Sequence, residues 1–151
     1  MVINKMRIDQ TLLEQRKIKV CPVVTRTTDE GREILVFRHP LAGIQLVKGT
    51  LEKEEELADA AKRELFEESG LELQSQPTFL QCWHSEHDNQ VWYFFDCNIE
   101  VAAERWAHFT QDGGGHHFQF FWHPMQSPPS KDWHPVFQRA LKELRNWFSV
   151  E

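Results

Sequence analysis

Positive charge is in short supply in this chain of 151 residues: 17 lysines and arginines stand against 23 aspartates and glutamates, a formal net charge of −6. That balance argues against a large non-specific nucleic-acid surface, which is normally basic. It leaves a small anionic ligand open, because a bound metal can invert the local field. Cysteine is scarce as well. Cys21, Cys82 and Cys97 form an odd set without metal-ligand spacing, which predicts reduced thiols and a cytoplasmic protein. Long apolar runs are lacking: the first ten residues contain no leader-like apolar stretch, and nothing approaches the roughly 20 residues that span a bilayer. No membrane association is expected. Neither an internal repeat nor a low-complexity linker divides residues 1–151, which suit one domain with a core of its own.

What is present reads as mixed secondary structure. Ile18 to Thr25 is rich in β-branched residues and predicts a strand, with Pro22 pointing to an edge or a bulge. Thr27 to Gly31 reads as a turn and Glu33 to Arg38 as the returning strand. Further strands are expected at Ile44 to Val47, Thr78 to Ser85, Gln90 to Ile99 and His117 to Trp122. Near the end, Trp133, Val136, Phe137, Ala140, Leu141, Leu144, Trp147 and Phe148 recur at helical spacing, with Pro135 suited only to the first turn. Mixed strands with two separated helices predict an α/β sandwich, with helices on both faces of a mixed sheet.

The other helix is unusual. Glu64, Glu67 and Glu68 stand at i, i+3 and i+4, so three like charges share one side. They lie just before Ser69-Gly70, a helix stop, where the macrodipole favours cations over anions. A solvated acidic helix is one reading of that pattern. The other is that a cation is missing from the sequence, and a hard divalent ion with oxygen ligands would supply it. On a helical wheel, Leu57, Ala61 and Leu65 form the buried stripe and the glutamates lie along its margin, able to converge on one ion. Arg63, one turn before Glu67, is placed to orient them.

Gly49, Glu55, Arg63, Glu64, Leu65, Glu67, Glu68, Gly70 and Leu71 match the pattern G-x5-E-x7-R-E-U-x-E-E-x-G-U, with U aliphatic, so the segment resembles the Nudix box of the Nudix hydrolase family. The resemblance implies an α/β/α sandwich and Mg²⁺-dependent hydrolysis of a diphosphate linkage in a nucleoside diphosphate joined to another group, with Mn²⁺ as an alternative ion. It implies Glu64, Glu67 and Glu68 as metal ligands, together with the backbone carbonyl of Lys48, and Glu55 as the family's first glutamate. Gly49, Glu55 and Gly70 would be structural members of the box. Glu64 is the first candidate for the base that takes a proton from the attacking water. The Lys48 side chain would steady a phosphate, or lie along the surface as an ordinary lysine. A small nucleotide-type substrate is implied, RNA 5′ ends or nucleotide binding without turnover being the alternatives, and a homodimer is left open.

Many family members draw a further glutamate from a loop before the last strand. Here that stretch runs from Gln111 through Asp112 and three glycines to His116 and His117, without a glutamate. His116 or His117 is therefore a candidate base or phosphate donor, with Asp112 as a third, and the glycines would let the loop approach a ligand closely. The stretch Ser85 to Asp88 carries neither the proline nor the tyrosine signature of the ADP-ribose and dinucleoside-polyphosphate subgroups. Among Trp83, Trp92, Phe94, Trp106 and Trp122, most are expected in the core, with one or two free to stack on a nucleobase.

Overall fold

Alternation along the strands decides the architecture. In the computed structural model, which describes residues 8–100 and 102–149, strands β1 (Ile18–Val23) and β7 (Val91–Asp96) are apolar on both faces. Ile18, Val20, Tyr93 and Phe95 enter one core, while Cys21, Val23, Trp92 and Phe94 enter another on the opposite side. Strand β3 (Gly31–His39) divides likewise, Leu35 and Phe37 to the first core and Ile34 and Val36 to the second. Two apolar faces require two covers. Helix α2 (Leu57–Ser69) closes the first with Leu57, Ala58, Ala60, Ala61 and Leu65. Helix α3 (Pro135–Ser149) closes the second with Val136, Phe137, Ala140, Leu141 and Leu144. The result is the expected α/β/α sandwich.

The strands fall into two sheets. One has the order β5-β1-β7-β6, with β5 at Gly49–Thr50 and β6 at Thr78–His84, and is mixed because β1 and β7 run parallel. The other runs β2-β3-β9-β8, with β2 at Thr25–Thr28, β8 at Trp106–Thr110 and β9 at His116–Pro124, and β4 (Gly43–Gln45) paired to β3. The chain changes sheet at Val24, whose carbonyl accepts from Leu35 while the Val23 carbonyl accepts from Cys97. The single strand expected over Ile18 to Thr25 is therefore broken there. Pro22 is tolerated because β5 pairs with β1 only at Lys19 and Val20.

Strand β2 takes in Thr27 and Thr28, expected in a turn, and β5, β8 and helix α1 (Gln10–Glu14) escape the sequence reading altogether. Helix α1 is short and rests on its cap: the Asp9 carboxylate accepts from Thr11 N at 2.9 Å. Strand β8 carries Trp106, which stacks on Phe120 and donates its indole N–H to the Ser69 carbonyl at 2.9 Å, tying the sheet to the end of α2. Pro135 occupies the first position of α3 as expected; Trp133 precedes the helix, and Trp147 is partly exposed on it. Trp92 and Phe94 are fully buried. No described helix is long and apolar enough to cross a membrane, and the three cysteines are free thiols, with Cys82 exposed.

Candidate active site

The last turn of α2 is built around one guanidinium. Arg63 donates from Nε and Nη2 to both oxygens of Glu55, at 2.7 and 2.9 Å. Its Nη1 donates to Glu64 at 2.7 Å and to Glu67 at 3.3 Å, and Nη2 also donates to the Thr50 carbonyl at 3.1 Å. Arg63 thus clamps the loop before the helix onto the acidic turn, in the forked geometry only arginine offers. Burial works to raise the Glu55 carboxyl, but the bonds from Arg63 outweigh it and hold the group below the usual range. At the helix end, Gly70 takes the left-handed conformation (φ 81°) and its N–H returns to the Phe66 carbonyl at 2.9 Å. The stop read from Ser69-Gly70 is there.

The three glutamates are not equivalent. Glu64 and Glu68 are buried, at 9% and 4% exposure, whereas the Glu67 side chain is about half exposed, at 51%. Glu68 lies within hydrogen-bonding reach of Glu64. Burial, before any other cause, pushes the Glu64 carboxyl up, against the hydrogen bonds from Glu68 and Arg63. Gly49 explains how Glu64 fits: a Cβ there would lie 1.8 Å from its Cδ and 2.1 Å from its Oε2. The carboxylate is seated directly against the backbone that follows Lys48, a position any side chain at residue 49 would fill.

All three glutamates open onto a cleft of about 570 Å³ whose other wall is Phe109, Thr110 and Gln111. These three were missed in the sequence because β8 was missed; the only signal was their place immediately before Asp112 and the glycine run. The side chain of Asp112 lies outside the described part of the structure. His116 lies opposite Thr110 in the β8–β9 register and rests 4.9 Å from the ring of His39. His117 lies opposite Phe109, with their rings 5.1 Å apart. Phe118 and Phe120 face α2, so by alternation His116 is on the α2 side of β9 and His117 on the other. Neither histidine is among the residues lining the cleft.

Lys48 is two-sided. Gly49 meets Glu64, but the Lys48 ammonium points to the α3 side, 4.8 Å from the Trp92 ring centroid and 5.6 Å from that of Phe137. It donates to Gln90 Oε1 at 3.3 Å. His134 and His87, with rings 5.4 Å apart, lie on the same side, His134 also 6.2 Å from Phe137. Burial first, then the cationic Lys19, brings the Lys48 ammonium down to about 8. From that value to about 10.5, its ordinary one, the unfolded chain holds a proton that the folded chain has released. The contribution of Lys48 to stability therefore rises with pH across this window. Urea titrations of wild type and Lys48→Met in metal-free buffer should show it: the stability of wild type relative to the variant increases from pH 8 to pH 10.5. A difference independent of pH would contradict the buried position of the ammonium.

The donors suit a hard divalent cation. They are carboxylate oxygens, two of them buried and crowded together, beside a backbone that only glycine leaves open. Among the described residues, however, no three acidic, histidine or cysteine side chains stand close enough to enclose an ion as they are. Glu67, drawn toward Arg63, is the outlying member.

Comparison with known proteins agrees with this fold. The family model described as NUDIX domain matches residues 17–151, so the chain belongs to the Nudix family, whose hydrolases act on pyrophosphate bonds. Among solved structures it resembles a NUDIX hydrolase from Nitrosomonas europaea, with a TM-score of 0.63 and 18% identity over 87% of this chain and 70% of that one. An Ap4A hydrolase from C. elegans, in a binary complex, is similar at TM-score 0.62 and 15% identity, over 88% of this chain and 99% of that one. The NUDIX domain of Shewanella oneidensis NrtR, in complex with ADP ribose, gives 0.57 and 16%, over 91% and 99%. At such identities the likeness is one of fold. A comparison with curated proteins gave no match.

Proposed function

We propose that the chain is a Mg²⁺-dependent hydrolase of the diphosphate linkage in a small nucleoside diphosphate derivative, with Mn²⁺ able to replace Mg²⁺. The observation that carries this reading is the buried Glu64–Glu68 pair, seated against Gly49 at the wall of an open cleft. Two adjacent carboxylates withdrawn from water are costly unless a proton or a cation joins them. Glu64, Glu67, Glu68 and the carbonyl of Lys48 would hold the ion. When bound, it neutralises phosphate oxygens and lowers the pKa of a water.

The remaining work falls to the chain. Arg63 keeps Glu64 and Glu67 oriented through its bonds to both. Glu64 receives the proton of the attacking water, the role its position beside the backbone at Gly49 supports. Lys48, with its ammonium among Trp92, Phe137 and His134, steadies the part of the substrate that extends beyond the cleft toward α3. Free thiols at Cys21, Cys82 and Cys97 accord with a cytoplasmic setting.

Nucleoside triphosphates, ADP ribose, dinucleoside polyphosphates and 5′-triphosphorylated RNA, each with Mg²⁺, with Mn²⁺ and with EDTA, form the deciding panel. Hydrolysis of a small diphosphate that stops in EDTA and returns with Mg²⁺ is expected. Cleavage of the RNA alone would reassign the substrate. A nucleotide that raises Tm without being cleaved would make the chain a binding module. His116→Ala should lower the rate about 10-fold by loosening the wall at Thr110, while His117→Ala, on the far side of β9, leaves it unchanged. The same rate and pH profile in both variants would remove the histidines from the mechanism.

A further inference from the structure

The outer face of α3 carries a feature that the hydrolytic site does not use. Arg139, Lys142 and Arg145 recur at i, i+3 and i+6, so they form one stripe along the helix. The stripe lines a cavity of about 450 Å³, together with the side chains of Gln126, Gln138 and Asn146. Among the described residues no acidic side chain lines it, in a chain whose net charge is −6. Glu143, the one acid of α3, lies outside it.

A basic helix face is ordinarily just a solvated one, but here two of the three cations are held in place. Arg139 Nη2 donates to the Ser85 carbonyl at 2.7 Å, and Arg145 Nη2 donates to the Gln126 carbonyl at 3.2 Å. A carbonyl fixes a guanidinium without cancelling its charge, and leaves most of its five N–H donors for another acceptor. Lys142 stands between them, one turn from each. Fixed forks, a mobile ammonium and amide donors in one concavity match the demands of phosphate oxygens. The volume is that of a small-molecule pocket.

We propose that this cavity is a second anion site, which takes a phosphate-bearing small molecule and is independent of the cleft at α2. Phosphate, pyrophosphate and a nucleoside phosphate share the chemistry; separate titrations of inorganic phosphate, pyrophosphate and ATP into the full chain, in EDTA at constant ionic strength, distinguish them. Backbone amide NMR should show shifts in Gln126, Ser127, Ser130 and residues 138–149. Binding should weaken about 10-fold or more in Lys142→Ala/Arg145→Gln, as expected for the loss of charge-assisted hydrogen bonds. Lys142→Glu, an exposed change that keeps the Arg145 contact, should weaken it too. Glu64→Gln should bind all three anions as wild type does, which separates this site from the hydrolytic one. Shifts confined to the α2 cleft, undiminished binding by both α3 variants, or equal shifts with chloride would overturn the proposal. So would binding of a single-stranded RNA by α3 when none of the three anions binds.

Discussion

Glu64→Gln is expected to lower hydrolysis by about 10²- to 10⁴-fold, the range for loss of a general base, while making the metal-free protein more stable. The two halves have one cause. Glu64 is buried beside Glu68 and its carboxyl is raised by burial. A carboxyl whose folded pKa is raised binds its proton more tightly in the folded chain, so at pH above that value its ionised form opposes folding. An amide has the same shape, still accepts from Arg63, and removes that opposition. Mg²⁺ should reverse the order. At 100-fold excess over its Kd, a ligand specific for the folded state adds about 2.7 kcal/mol. Wild type should gain on this scale and the variant should gain little. Thermal melts of both proteins in EDTA and in saturating Mg²⁺, beside initial rates, test this directly. Equal Mg²⁺ stabilisation of the two proteins would remove Glu64 from the metal site.

How much of this was visible in the sequence depends on the range of the interactions involved. The acidic turn could be read because helical spacing is local: Glu64, Glu67 and Glu68 share a side whatever the rest of the chain does. The strands β1, β3 and β7 could be read because runs of β-branched and apolar residues are local too, and the two covered faces followed from mixed strands with two separated helices. The inequality among the glutamates could not. It depends on β5 pairing with β1, which sets Gly49 against Glu64 and turns Lys48 to the other face, toward residues some 40 and 90 positions away in the chain. Strand β8 was hidden because its residue types do not follow its burial, which alternates: the polar His108 and Thr110 lie on the more buried side while the apolar Phe109 is exposed. With it went Phe109, Thr110 and Gln111, the far wall of the cleft. Local chemistry was legible, and the partner it faces across the fold was not.

Arg63→Ala should have the opposite signature to Glu64→Gln, losing stability and activity together. Arg63 bonds Glu55 twice, Glu64 once, both oxygens of Glu67 and the carbonyl of Thr50. Its removal leaves Glu55 and Glu64, with side chains only 17% and 12% exposed, without their counter-charge. Breaking a fully buried pair costs about 3–5 kcal/mol. Arg63 itself is 24% exposed and Glu67 51%, so solvent screening brings the expectation to about 2–3 kcal/mol. Arg63→Lys should recover little of it, because an ammonium cannot span both oxygens of Glu55 while reaching Thr50. Activity should fall about 10²-fold in both variants, from carboxylates that no longer hold one orientation. Urea unfolding with kcat and KM for the cleaved substrate checks both quantities, and a double-mutant cycle with Glu55→Gln isolates the pair. If Arg63→Ala unfolded at the wild-type midpoint, the clamp between the loop and the helix would carry no weight. If Arg63→Lys restored full activity, charge alone and not the fork would be what the acidic turn requires. Within one turn of α2, then, Glu64 should weaken the fold in the service of the reaction, and Arg63 should supply the restraint that lets the fold tolerate it.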